Sequence, residues 1–284
     1  MKTHKKNTNA GLIFLFILTG LFYGCGDGEC AYQGGEEDTV PPFSCEAGMD
    51  VAFLIDYTGS MGSAISDIQS SVTSIVNTIE TESGGDYRLS LSIFDEVTKD
   101  FTPGYATQTD YTSLPAAQKV IINSGGTRRQ YLTMMEKFAP ANKVNFGTQL
   151  AKLNASMSLG NGVGTPEPGG LLLNEVLNNN FAGSWRTTNI AKIAIIITDA
   201  PAGGDDDTAD ATDDTYLANL AATANAMGVQ CILVTSMAAG TSNYELQLID
   251  NNSDGVKLTG ADFGDVSGDI ITLIQDLCDA NVGK

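Results

Sequence analysis

The stretch VAFLIDYTGSMGSAI, residues 51–65, decides the fold. Its first five residues are apolar without alternation, the pattern of a strand buried on both faces. The run then ends in a carboxylate, Asp56, and two hydroxyl side chains follow at Thr58 and Ser60. No Lys or Arg lies within twenty residues of Asp56 on either side. A buried charge needs a partner. The partner of Asp56 therefore comes from a distant part of the chain or from outside it.

Outward from this stretch, apolar strands alternate with helical patterns. Residues 63–80, SAISDIQSSVTSIVNTIE, space Ile65, Ile68, Val72, Ile75, Val76 and Ile79 along one helical face. Residues 87–96, YRLSLSIFDE, alternate as a strand, and VTKDFT at 97–102 reads as a short antiparallel edge strand returning against it. Residues 168–181 predict a helix with Pro168 near its first turn, and IAKIAIIITD at 190–199 a second fully buried strand. A helix closed by Gly228, a third buried strand at 229–236, a short strand at 255–260 and a last helix at 266–280 complete the series. Continuous Val/Ile/Leu runs separated by helices predict an α/β fold, a doubly wound and mostly parallel sheet with helices on both faces. In such a sheet ligands bind at the carboxyl ends of the strands. Residues 102–145 break the rhythm and read as an insertion over that end, a partner-selecting lid or a plain loop.

The N-terminus reads as an address. MKTHKK is basic and GLIFLFILTGLFYG is apolar, so residues 1–24 predict a signal peptide, too short for a comfortable transmembrane helix. LFYGC resembles the lipobox of bacterial lipoproteins, which makes Cys25 the candidate for lipidation; the alternative is ordinary secretion with Cys25 free or disulfide-bonded. Residues 25–47, rich in Gly, Pro and acids, read as a flexible tether, and residues 48–280 as the folded domain. The expected location is the cell envelope, membrane-anchored, at the outer membrane or the cell surface. Loss of residues 1–24 removes Lys2, Lys5 and Lys6 and no acid, so the formal charge moves from −19 to −22. So acidic a surface repels nucleic acid and favours cations. Of the remaining cysteines, Cys231 sits in a buried-strand pattern and reads as a core hydrophobe. Cys45 and Cys278 are the candidates for a disulfide if the ends of the domain meet.

A second carboxylate, Asp199, ends the strand at 190–199, so in a parallel sheet it arrives at the same rim as Asp56. Thr58 and Ser60 lie on the loop after Asp56, and Thr165, in GNGVGTPEPGG, leads into the helix that precedes the Asp199 strand. Thr127, in GGT, also fits a Gly-Thr loop, but its position is far upstream of that strand. Two carboxylates and three hydroxyls without a cation point to a hard divalent ion, Mg²⁺ or else Mn²⁺ or Ca²⁺.

The same residues resemble the metal-ion-dependent adhesion site of von Willebrand factor A (VWA) domains, whose usual pattern is Asp-x-Ser-x-Ser, then a distant Thr, then an Asp. Asp56, Thr58, Ser60, Thr165 and Asp199 match it, with Thr58 in place of the commoner Ser, and the likeness spans roughly residues 49–279. It implies a binding or adhesion module in which the ion accepts an Asp or Glu carboxylate from a partner protein, and in which the last helix, 266–280, shifts as the site engages. Enzyme readings fare poorly. TGSMG loosely resembles a nucleophile elbow, but the one histidine, His4, lies in the leader, which leaves no imidazole base and no His-ligated zinc. A structural envelope component with a vestigial metal site, and a metal-activated hydrolase built on carboxylates alone, are the alternatives. The acidic run GGDDDTADATDD, residues 203–214, reads as a solvated loop leading into a helix N-terminus.

Overall fold

The computed structural model describes residues 44–123, 126–187, 189–203, 206, 208–259, 263–264 and 267–279. The leader, Cys25 and the tether as far as residue 43 lie outside the described residues. In chain order the strands are β1 (Ser44–Asp56), β2 (Tyr87–Thr98), β3 (Lys119–Ile122), β4 (Arg128–Glu136), β5 (Ile190–Thr198), β6 (Gln230–Thr235) and β7 (Val256–Thr259). The helices are α1 (Ile65–Glu82), the single turn α2 (Thr109–Thr112), α3 (Lys143–Leu150), α4 (Gly169–Asn178), α5 (Ala211–Met227) and α6 (Ser267–Asp279).

All seven strands form one sheet in the order β3-β4-β2-β1-β5-β6-β7. β1 pairs in parallel with β2 on one side and β5 on the other, and β6 and β7 continue in parallel. The chain thus winds outward from β1 in both directions, and the crevice where strand order reverses opens at the carboxyl ends of β1 and β5. The central strand is buried on both faces because it divides its apolar residues between two layers. Val51, Phe53 and Ile55 pack with α1 and with Ile270 and Ile274 of α6. Ala52 and Leu54 pack with Leu172, Leu173 and Val176 of α4 and with Leu217 and Leu220 of α5. Each such Leu, Ile or Val contributes about 1.5–3 kcal/mol by leaving water.

The antiparallel part differs from the expectation. β2 runs on through Val97, which is buried in the core, so residues 97–102 do not fold back as an edge strand. The returning strand is β4, antiparallel to β2, and the edge is β3, antiparallel to β4. Both come from the segment read as an insertion. β4 is apolar on both faces, with Tyr131 and Met135 in one core layer and Leu132 and Met134 in the other. Its charged opening, Arg128 and Arg129, hides that pattern in the sequence. The turns before β3 are also built into the core: Tyr105 packs edge-on against Tyr57 and Tyr111, with ring centroids 5.6 and 5.4 Å away.

At the opposite end from the crevice, Cys45 and Cys278 form a disulfide, with Cα atoms 5.3 Å apart. β1 begins at Ser44, so residues 44–47 belong to the strand and not to the tether. Cys231 is a free, buried thiol on β6, pushed up to about 12 by burial. Asp210 caps α5 by accepting from the Thr212 backbone N–H, and Asp213 answers it by accepting from the Asp210 N–H. Asp210 and Asp213 of that run thus form a helix cap, with Asp213 buried, and Asp206 accepts from the Thr208 N–H ahead of it.

Candidate metal centre

Asp56 is fully buried at the last position of β1, and hydroxyls and an amide satisfy it. Its Oδ1 accepts from the Thr58 backbone N–H (2.9 Å) and from Thr58 Oγ1 (2.6 Å), and its Oδ2 from Thr198 Oγ1 (2.7 Å). Ser60 Oγ in turn donates to Asp199 Oδ1 at 3.0 Å. Each hydroxyl has one proton. With both protons directed at carboxylates, Thr58 Oγ1 and Ser60 Oγ face each other at 3.1 Å with lone pairs toward the gap between them. That arrangement suits a cation.

Thr165 lies on the far wall of a cleft of about 240 Å³ that it lines together with Ser60, Asp199 and Glu167. Thr127, the alternative, stands immediately before β4, where its carbonyl accepts from the Lys99 N–H at 2.8 Å. The two arms of the cleft approach so closely that side chains are excluded: a Cβ on Gly59 would sit 2.6 Å from the Asn161 carbonyl oxygen. Behind the loop, buried Asp95 of β2 accepts from the N–H groups of Gly162 (3.0 Å) and Asn161 (3.4 Å). Burial, offset in part by those bonds, pushes its carboxyl up to about 7.

Glu167 is a residue that the sequence pattern does not single out. Asp56, Glu167 and Asp199 each offer a carboxylate oxygen, all within 4.8 Å of one another. Glu167 is buried, and its Oε2 has no hydrogen-bond partner. Its backbone is fixed: the N–H donates to the Pro201 carbonyl at 3.0 Å, and its carbonyl accepts from the Gly203 N–H at 2.7 Å. The peptide bond between Thr165 and Pro166 is cis. An acid between two prolines at the start of a helix reads most simply as a charge placed on the helix dipole, and Glu167 sits two residues from the Thr that drew attention. The flanking prolines, which hold the acid outside any regular element, were the available signal.

Three crowded carboxylates are costly without a counter-charge. Burial, then a hydrogen bond and repulsion from Asp56, push Glu167 up to about 11. Burial and the charge of Asp56 also raise Asp199. A bound dication reverses this balance by favouring the ionised forms. An orphaned buried carboxylate oxygen, two hydroxyls with facing lone pairs and three converging acids form an all-oxygen donor set that fits a hard divalent ion.

No family model matches the chain, and no curated protein does. Solved structures with a similar fold include proximal thread matrix protein 1 from the mussel byssus with a zinc-occupied MIDAS motif, at 13% identity over 82% of this chain and 47% of that one, with a TM-score of 0.49. A von Willebrand factor type A protein from Catenulispora acidiphila is 12% identical over 81% of this chain and 42% of its own, with a TM-score of 0.48. The SpRpn10 VWA domain is 11% identical over 78% of this chain and 94% of its own, with a TM-score of 0.46. The chain spans about half the length of the first of these. Likenesses of this size carry no function across; the function has to be read from the site itself.

Proposed function

We propose that this chain is a divalent-metal-dependent protein-binding module of the VWA type, displayed on the cell envelope. One observation carries the reading. At the switch point of the sheet, a hydrogen-bonded row running from Asp56 through Thr58 and Ser60 to Asp199, together with Glu167, offers five oxygen-bearing side chains. Among the described residues no Lys or Arg forms an ion pair with any of the three acids. Asp56, Thr58, Ser60, Thr165, Glu167 and Asp199 would hold the ion, Mg²⁺ or else Mn²⁺ or Ca²⁺. When bound, the ion supplies Lewis acidity toward one more oxygen, from water or from a partner.

The third carboxylate changes the charge balance that the sequence suggested. With Asp56, Glu167 and Asp199 all ionised, a dication is overcompensated by one negative charge. An Asp or Glu from the partner protein therefore competes with Glu167 instead of filling a shortfall. Glu167, whose Oε2 makes no hydrogen bond, is the group that yields; Asp56, held by three hydrogen bonds, is not. No covalent chemistry is proposed. The protein is placed at the membrane by a lipid on Cys25, a reading supported by the sequence alone.

The test is capture from envelope extract by the purified chain. Bound protein should disappear with EDTA and return with Mg²⁺ or Mn²⁺, and Asp56→Ala should retain nothing under either condition. Capture that survives both EDTA and Asp56→Ala would overturn the proposal.

A further inference from the structure

We infer that Arg128 is the positioning residue of the loop carrying Thr165 and Glu167, and that it sets how tightly the site holds its ion; the inference rests on the metal-binding reading above. Arg128 is the first residue of β4, paired in register with Thr98 of β2. Its guanidinium reaches over the strand pair to an acid and to two backbone carbonyls. Nη1 donates to Glu96 Oε1 at 2.9 Å and to the Pro166 carbonyl at 3.2 Å, and Nη2 donates to the Thr165 carbonyl at 3.3 Å. Glu96 is buried within β2 and the Arg128 side chain is 18% exposed, so the anchor is a largely desolvated ion pair.

The geometry uses what is particular to arginine. One planar fork spans two consecutive carbonyls and an acid, which a single ammonium on a flexible stem cannot do. The two carbonyls belong to the residues immediately before Glu167. Downstream, the Glu167 backbone is already tied to Pro201 and Gly203. Upstream, the loop is tied to Asp95 as far as Gly162, and it then runs through Gly164, at positive φ, before it reaches Thr165. Arg128 therefore closes the open side of the clamp. It directs Thr165 and the Glu167 carboxylate toward Asp56 and Asp199 without itself lining the cleft. It holds two of the site's side chains in place, and the coordination of the ion depends on their position.

The experiment is calorimetric titration of the purified full chain with Mn²⁺ alone, alongside melting in EDTA, for the wild type, Arg128→Met, Arg128→Lys and the control Arg129→Met. The expected result is a Kd raised tenfold or more in Arg128→Met and by a smaller factor in Arg128→Lys, with Arg129→Met at the wild-type value. Arg128→Lys keeps a cation beside Glu96, so its melting in EDTA should stay close to wild type while its Mn²⁺ affinity falls; a purely structural role would move the two together. If Arg128→Met does not fold, the lysine variant decides alone. Wild-type Kd in the Arg128 variants would overturn the inference and leave the metal reading standing. No heat from the wild type would overturn both.

Discussion

Asp50 and Asp56 lie on the same strand and the same face of it, both fully buried, and are satisfied by opposite means. Asp50 is gripped by Arg88 and by Arg186, whose Nε and backbone N–H reach it at 2.8 and 2.9 Å. Among the described residues Asp56 has no Lys or Arg beside it and is met by hydroxyls and an amide. Asp50 has its cations within the chain; on the proposed reading Asp56 receives one from solution. Asp50→Ala should therefore cost about 3–5 kcal/mol, since it leaves two partly buried arginines without their acid, while the gain in stability on adding metal persists. Asp56→Ala should abolish that gain, which for the wild type at a hundredfold excess over Kd is about 2.7 kcal/mol. Melts in Mg²⁺ and in EDTA separate the two. A metal-dependent shift that survives in Asp56→Ala would contradict the assignment.

Glu167→Gln is expected to act in opposite directions on the two ligands. Removal of the third charge should weaken Mn²⁺ binding tenfold or more. At saturating Mn²⁺ the same variant should bind a carboxylate partner at least as tightly as the wild type, because the internal competitor is gone. Titration with Mn²⁺ followed by partner capture measures both. A variant that loses capture at saturating metal would show that Glu167 is not the group that yields.

Asp95 gives a pH dependence independent of the ion. Its folded carboxyl is raised to about 7 by burial, so the folded state binds the proton more tightly than the unfolded chain. Its contribution to stability is complete below the unfolded value near 4 and is lost as pH rises through about 7. In EDTA, the unfolding free energy of the wild type from urea melts should fall relative to Asp95→Asn between pH 5 and pH 8, by an amount on the order of a few kcal/mol. Parallel pH curves for the two proteins would refute this role for Asp95.

Loss of the Cys45–Cys278 bond should destabilise the domain by about 4–5 kcal/mol, because the bridge closes a loop of 233 residues in the unfolded chain. Mn²⁺ affinity should be unchanged in the Cys45→Ser/Cys278→Ser protein measured below its melting temperature, since the bridge lies at the end of the sheet away from the cleft. A large loss of affinity would indicate coupling between α6 and the site.

Much of the fold was legible in the sequence because it depended on short-range pattern. The buried strands β1, β5 and β6 announce themselves as unbroken apolar runs, and Asp56 and Asp199 by ending two of them. What was not legible depended on long-range pairing. β4 has the same two-sided apolar character, but it starts with two arginines, and the partners of Arg128, Glu96 and the Thr165 loop, are distant in sequence. Glu167 was hidden for a related reason: nothing local marks an acid as unpartnered. The packing of its loop against residues 201–203, together with the grip of Arg128 on the two preceding carbonyls, brings it to Asp56.

On the proposed reading, the bridge at Cys45 also bears on how the domain would carry load. Tension entering at the start of β1 and leaving through a partner held at Asp56 runs lengthwise along the central strand, which is flanked by β2 and β5. Loaded at both of its ends, β1 passes the force along its own covalent backbone, and its pairing on either side holds it in the sheet. The bridge shares part of the pull with the last helix. On the proposed reading, an attachment at one pole and a grip at the other would make β1 a tensile member along that axis.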